Sequence, residues 1–461
     1  MMRSLYSGVS GLRNHQVRMD VLGHNISNVN TYGFKKSRVS FQDILSQTIS
    51  GAAAPTAQKG GVNPKQVGLG MNIASIDRIF TQGSLQTTGL NTDMAIQGDG
   101  FFILKRGEET FYTRAGGFGV DKNGTMINPA NGLRVQGWMA VQAGTEYIIN
   151  TTAELEDIII PVGAKDPANA TEFVGLKSNL DSETSLLPVG REPTEKEVLQ
   201  STVSTNIDVF DSLGNIHALT LDFTRVQDEE NTWLVSAIVE GADEATVRFD
   251  ITGDNVNNTN QLVMRFDNSG APVSVEDNPL TPGAPVDITN EGILSAALSV
   301  TFPEDGITQT INLNFGDAGD YNGVTQFASP STTRAFEQDG YGLGYLQSFT
   351  IDNSGVITGV FTNGKKASIG QIAMASFTNQ QGLIAEGDNY FRETNNSGLA
   401  NVGSAETGGR GKITSGTLEM SNVDLAEQFT DMIVTQRGFQ ANSRSITTSD
   451  QMLQELLTLK R

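Results

Sequence analysis

The sequence predicts an α+β fold, mainly β: a discontinuous, multidomain subunit with a helix at each end of the chain and β-rich domains between them. Three observations predict it. Apolar residues recur every seven positions at both termini. The long centre alternates apolar and polar residues in short runs, and turn signals of the form Asp-x-x-Gly punctuate those runs. At 461 residues the chain is long enough for about two to four domains with a sizeable core.

At the N-terminus, Leu5, Leu12, Met19 and Ile26 repeat every seven residues, with Leu22 and Val29 three residues after the last two. This is a narrow apolar stripe on a helix of roughly 25 residues, about 38 Å long. The Asn-rich stretch Asn25–Gly33 should end it. At the other end Leu425, Met432, Phe439, Ile446 and Leu453 repeat in the same way, and Phe429, Ile433, Leu456 and Leu457 widen the stripe. That helix is expected to start near Ser421 or Asp424, both good capping types, and to run to the C-terminus. Either stripe could serve an ordinary core-facing helix. Position at the chain ends and a polar remainder, rich in Gly, Ser, Asn and Gln, favour two helices lying side by side that need several neighbours to be stable.

In the centre, Ile207–Phe210 and Leu219–Phe223 read as half-buried strands. The Asp-x-x-Gly signals at Asp121–Gly124, Asp211–Gly214, Asp267–Gly270 and Asp352–Gly355 read as hairpin turns, because the downstream ligands and bidentate Glu of a calcium loop are missing. Ten of the thirteen prolines lie between Pro161 and Pro330, as expected of short strands joined by many loops.

Composition narrows function. The chain has no cysteine, which excludes disulfides, thiolate metal sites and thiol nucleophiles. His15, His24 and His217 are the only imidazoles, and His15 and His24 do not share a helix face. Residues 151–340 carry 32 acidic and 8 basic side chains against 20 and 23 in the rest of the chain. So acidic a middle should not bind nucleic acid or an anionic membrane, and it suits a solvent-facing surface. No apolar run approaches bilayer-spanning length, and the N-terminus lacks the apolar core of a cleavable signal. Catalytic signatures are missing: no Gly-x-Ser-x-Gly elbow, P-loop or His-Glu-x-x-His occurs. Gly340-Tyr341-Gly342-Leu343-Gly344 opens no expected helix, Gly98-Asp99-Gly100 reads as a turn, and acidic pairs such as Glu229-Glu230 read as solvated loop residues. The expectation is a protein that is not an enzyme and takes no metal or cofactor.

Several segments resemble the axial proteins of the bacterial flagellum, the rod, hook and hook-associated subunits. Ser7-Gly8-Val9-Ser10-Gly11-Leu12 and then Asn25-Ile26-Ser27-Asn28-Val29-Asn30-Thr31-Tyr32-Gly33-Phe34-Lys35 look like the N-terminal signature of that family. Gly83–Gly89, Asp93–Phe102, Tyr112-Thr113-Arg114 and Phe118 follow in the expected order. Gly382-Leu383, Glu386–Asn389, Ser421–Leu425 and Met432-Ile433 through Gln436-Arg437 continue it. Both ends and about half of the chain are covered; residues 150–333 match no quotable motif. Their length points to the hook branch, because distal rod subunits lack a large central insertion. Ser46–Gly70 nevertheless also resembles rod proteins, so a distal rod subunit remains the alternative, with a secreted acidic β-rich binding protein as a reading from another class.

The resemblance implies a layered subunit. Residues 1–30 and 421–461 would form an inner helical tube, 31–70 a connecting segment, 71–150 and 334–405 a β-rich inner domain, and 151–333 an acidic β-rich outer domain. The assembly interface would comprise Leu5, Leu12, Met19, Leu22 and Ile26 with Leu425, Phe429, Met432, Phe439, Ile446 and Leu453. The implied function is a short curved tube acting as a universal joint, exported unfolded by the flagellar type III apparatus to a place outside the cytoplasmic membrane. Phe41 and Leu45 resemble the family's export-gate motif, although they could equally anchor the connecting segment. The implied partners are copies of the same chain, distal rod, hook cap and hook–filament junction proteins, and the export gate. The N-terminal and 126–140 segments look most like spirochaete hook proteins, whose subunits can be cross-linked through Lys and Cys. Here Lys165 is present but Ser178-Asn179 stands where the cysteine would be expected, so no lysinoalanine is expected in the polymer.

Overall fold

The computed structural model describes residues 2–55, 59–143, 146–163, 165–187, 194–226, 231–242, 247–250, 261–277, 292–302, 307–332 and 335–458. The Glu229-Glu230 pair lies outside these residues, as do the side chains of Leu456 and Leu457. The fold is α+β and mainly β. The chain forms two compact units, one of residues 1–162, 348–360 and 366–461 and the other of residues 163–347 and 361–365.

In the first unit, α1 (Met2–Ser27) forms where the seven-residue repeat predicts a helix. It ends on its own asparagines: the Asn28 side chain donates to the His24 carbonyl at 2.9 Å, and the Asn28 amide to that of Asn25. Gly33, at φ 68°, then turns the chain against residues 114 and 115, where any Cβ would lie 2.6 Å from the Ala115 nitrogen. An antiparallel ribbon follows, β1 (Ser37–Asp43) pairing with β4 (Met71–Arg78) and β2 (Ser46–Ser50) with β3 (Lys65–Gly68). Next come β5 (Leu85–Thr87), β6 (Met94–Gln97), β7 (Phe101–Arg106) and β8 (Glu109–Thr113). β7 is central, bonded to β8, Arg134–Ala143 and Met374–Ser376. Its apolar run Phe101–Leu104 is buried throughout, as a strand covered on both faces must be. Phe101 makes edge-on contacts with Phe80, Phe377 and Phe391, with centroids 5.7–5.8 Å apart. The C-terminal end of the chain closes this unit: Lys412–Ser415 pairs with β6 and Thr417–Glu419 with β5.

The second unit is a β-sandwich. One sheet runs in spatial order Thr202–Phe210, Ile216–Arg225, Thr232–Val239, Gln261–Phe266, Pro272–Asp277, each strand antiparallel to the next. The other runs Arg248–Asp250, Ile293–Thr301, Thr308–Asp317, Phe173–Leu176, Ala335–Gln338. Alternate residues of both sheets, among them Leu219, Leu221, Phe223, Trp233, Phe249, Leu298 and Phe315, share one buried core. The short α2 (Glu195–Ser201) is the unit's only helix among the described residues.

The four Asp-x-x-Gly segments named above are hairpin turns of one design. The aspartate Oδ1 accepts amides two and four residues on in Asp121, Asp211 and Asp267, at 2.7–3.0 Å. In Asp352 it accepts the Val356 amide and the Ser354 hydroxyl. Each closing glycine sits at φ 82–88°. These carboxylates are spent on their own backbone, which is why the motif recurs without a metal site. Among the described residues no three His, Asp or Glu side chains are grouped to hold a metal, and no helix is long and apolar enough to cross a membrane.

Candidate assembly surface

The two terminal helices lie side by side. α3 (Leu425–Thr458) is capped by Asp424, whose Oδ1 accepts the Ala426 amide at 2.8 Å and the Glu427 amide at 3.3 Å. The seam between α1 and α3 is small and polar. A Cβ on Gly11 would lie 2.7 Å from Asn442 Nδ2, one on Gly8 3.0 Å from Ile446, and one on Gly438 2.9 Å from the His15 ring. Ser4 and Ser449 hydroxyls meet at 3.3 Å, Asn25 Nδ2 donates to Gln428 Oε1 at 2.9 Å, and Arg18 pairs with Asp431 at 3.3 Å. The buried Thr435 and Ser449 return their hydroxyls to the carbonyls of Asp431 and Ser445. The glycines let the helices approach closely, and most of the polar groups satisfy one another inside the seam, the buried His15 Nδ1 having no partner among the described residues.

This seam uses the glycines and polar residues and leaves apolar ones over. At about 100° per residue, Leu425, Phe429, Met432, Ile433 and Phe439 fall within an arc of about 120° beside the seam. Phe429 is 50% exposed and Ile433 58%, with Leu425 and Phe439 exposed as well. Met432, Ile446 and Leu453 are half-buried. On α1, Leu22 is buried, whereas Leu5, Leu12, Met19 and Ile26 are half-buried along one flank of the seam. The expected stripes are therefore real helix faces, and much of their apolar surface is left uncovered by the described residues.

The ribbon braces the other side of α1. Asn14 donates to the Met71 carbonyl at 2.6 Å, and Asn25 exchanges bonds with Ser37, donating to its carbonyl at 2.8 Å and accepting from its amide at 3.0 Å. Phe41 packs edge-on against His15, with centroids 5.8 Å apart, while Leu45 is exposed. Burial lowers the His15 pKa, and the nearby Arg18 lowers it further. A cavity of about 150 Å³ at this junction is walled by Val21, Leu22, Val39 and Ile79 and rimmed by Lys36 and Glu427.

Beneath the helices, three charged side chains are buried together. Lys35 Nζ donates to Glu419 Oε1 at 2.7 Å and to the Thr81 carbonyl at 2.9 Å. Arg114 donates to Glu419 Oε2 at 3.4 Å and to the Gly98 carbonyl at 2.7 Å. The Gly83 amide adds a further bond to Glu419 Oε1 at 2.9 Å. The Lys35 and Glu419 side chains are 0% exposed and that of Arg114 is 1% exposed. Burial pulls the Lys35 ammonium below its ordinary pKa; the Glu419 carboxylate opposes this shift and Arg114 adds to it.

Sequence reasoning missed this cluster, although Lys35 and Arg114 sit inside two of the quoted motifs and Glu419 stands two residues before a third. It also passed over Asn14, Asn25 and Gly438. For Asn14, Asn25 and Glu419 the available signal was an amide or a charge at an inward-facing position of a helix or strand; Lys35 and Arg114 lie outside such elements and carried none. In the second unit Lys165 is exposed, and the buried Ser178 hydroxyl has no hydrogen-bond partner among the described residues.

Four family models match along the chain. "Flagella basal body rod protein" covers residues 5–35 and "Flagellar hook protein FlgE/F/G D1 domain" residues 95–172. "Flagellar basal body protein FlaE D2 domain" covers 179–341 and "Flagellar basal body rod FlgEFG protein C-terminal" 414–459. The chain is 50% identical to the flagellar hook protein FlgE of Treponema pallidum, over 100% of both chains. It is likewise 50% identical to that of Borreliella burgdorferi, again over 100% of both. The crystal structure of Helicobacter pylori flagellar hook protein FlgE2 aligns over 73% of this chain and 100% of its own, with a TM-score of 0.50 and 15% identity, a likeness of fold. A β-rich subunit closed by both chain ends, with paired terminal helices showing an apolar arc, is in this light a structural, polymerising axial component of the bacterial flagellum. Within that class, the chain belongs to the flagellar hook protein family. Members of that family work outside the cytoplasm and assemble with themselves and other axial proteins.

Proposed function

We propose that the chain is the hook subunit proper, polymerising into a short curved tube that transmits motor torque to the filament as a universal joint. The observation that carries this reading is the exposed apolar arc of α3 beside a polar seam. In one chain that arc faces water, and a ring of neighbouring helix pairs would bury it. Leu5, Leu12, Met19, Ile26, Leu425, Phe429, Met432, Phe439, Ile446 and Leu453 are the proposed assembly residues; Leu22, expected among them, is instead buried within the chain and holds the helix pair. Residues 1–30 and 421–461 would form the inner tube, 31–70 the connection, 71–150 and 334–405 the inner domain and 151–333 the outer domain. The acidic, loop-rich composition of residues 151–340 suits surfaces that slide past one another when the tube bends, since large apolar patches would lock one spacing.

The chain would be exported unfolded through the flagellar type III apparatus, with Phe41 and Leu45, both accessible in an unfolded chain, as its proposed export motif. Distal rod, hook cap and hook–filament junction proteins are the proposed neighbours. The test is assembly of purified chain, with trypsin cleavage at Arg13, Arg18, Arg437 and Arg444 followed before and after. The expected result is curved tubes in which these bonds are cut more slowly than in the free subunit. Straight rigid tubes would support a distal rod instead, and a chain that stays monomeric at high concentration would overturn the proposed assembly surface.

A further inference from the structure

The chain's N-terminal root, residues 33–36, is buried by partners drawn largely from its last fifty residues. The Gly33 amide donates to the Glu419 carbonyl at 2.8 Å, and the Lys36 amide to Asn422 Oδ1 at 2.7 Å. Lys36 Nζ pairs with Glu427 at 2.6 Å, and Lys35 Nζ with Glu419 at 2.7 Å. Asn422 also reaches back to the Ile79 carbonyl at 2.7 Å. Between these contacts Thr417–Glu419 is itself a strand, held edge to edge by β5.

The charges make this arrangement conditional. Lys35 comes from the N-terminal root and Arg114 from just beyond β8, and both are directed at one carboxylate. Without Glu419, two cations would share a fully buried site in which Lys35 keeps the Thr81 carbonyl and Arg114 the Gly98 carbonyl and the face of the Phe101 ring. Removing one partner of a buried pair is far costlier than removing both. The site stays within one cation of neutrality only while Glu419 is in place.

We propose that Glu419 is the closing charge of the N-terminal root: the root can be buried only once residues 417–427 have docked, so that α1 and α3 take their positions together and only in a complete chain. Glu419 and Lys35 are positioning residues for the helix pair, with no part in the contact between subunits. In a chain delivered as an unfolded thread, this interlock keeps an incomplete subunit from presenting α1 in its assembled posture. The inference concerns the free subunit and does not depend on the shape of the polymer.

The test is hydrogen exchange on the full-length monomer, read at the amides of residues 33–37, with the amides of β7 and β8 reporting on the core. Glu419→Gln should lose about a hundredfold or more of the protection at 33–37, from the cost of an unpaired buried charge, while β7 and β8 stay protected. Lys35→Met should leave the root closed, since Arg114 and Glu419 still balance. Lys35→Met combined with Glu419→Gln restores the original net charge of the site and should recover at least about tenfold of the lost protection. A double variant as open as Glu419→Gln, or more so, would mean that Glu419 acts only through packing and would overturn the proposal. So would a Glu419→Gln root that stays as protected as in the unaltered chain.

Discussion

Phe429 offers the sharpest separation between folding and assembly. Its side chain is 50% exposed on α3, in the arc that the α1 seam leaves uncovered. Burying a whole phenylalanine side chain is worth about 1.5–3 kcal/mol, so roughly half of that, about 1 kcal/mol, is still to be gained when a neighbour covers the ring. Serine has a helix propensity close to that of phenylalanine, so Phe429→Ser leaves the intrinsic helix tendency of α3 unchanged and removes only the half of the ring's packing already made within the chain. The critical concentration for polymerisation, measured by sedimenting tubes from a dilution series, should rise about five- to tenfold. Helical ellipticity of the free subunit should hardly change. Leu22→Ala is the counterpart, because Leu22 is buried within the chain. It should destabilise the helix pair of the monomer by about 2–5 kcal/mol, visible as lost helicity before any assembly. An unchanged critical concentration for Phe429→Ser, or lost helicity in its monomer, would refute the assignment of this arc to contacts between subunits.

Two further outcomes follow from the seam. Gly23 has open space where a Cβ would stand, whereas a Cβ at Gly438 would lie 2.9 Å from the His15 ring. Gly23→Ala should therefore stabilise α1 by about 0.5–1 kcal/mol, and Gly438→Ala should cost the helix pair about 1–3 kcal/mol, compared by the thermal loss of helical ellipticity. His15 gives the seam a pH dependence whose sign is set by its lowered pKa, from burial first and Arg18 second. The loosened chain takes up the proton more readily than the packed one, so stability from this group is full above pH 6.5 and is lost as pH falls below that value. Hydrogen exchange in α1 should accelerate between pH 7.5 and 5.5 beyond its intrinsic pH dependence, and His15→Gln should abolish that excess. An identical excess in the variant would assign the effect to another group.

The sequence by itself determined the helices at both ends, because a seven-residue apolar repeat admits little else over that length. It determined the turns as well: in Asp211–Gly214 and its three counterparts, an aspartate that can bond its own following amides and a glycine free to take positive φ define the hairpin locally. The family was legible in motifs such as Asn25–Lys35, which are long and ordered enough to exclude chance. Only the tertiary structure decided which helix face is spent inside the chain. Periodicity marks a stripe as apolar, but Gly11, Asn442 and Gly438 show that closeness of approach chose the seam, leaving Phe429 and Ile433 in water. The same holds for Lys35 and Glu419, 384 residues apart in sequence. A charge pattern records that a lysine and a glutamate exist, whereas only the folded backbone, by drawing both chain ends under one set of strands, removes the water that would otherwise keep them apart.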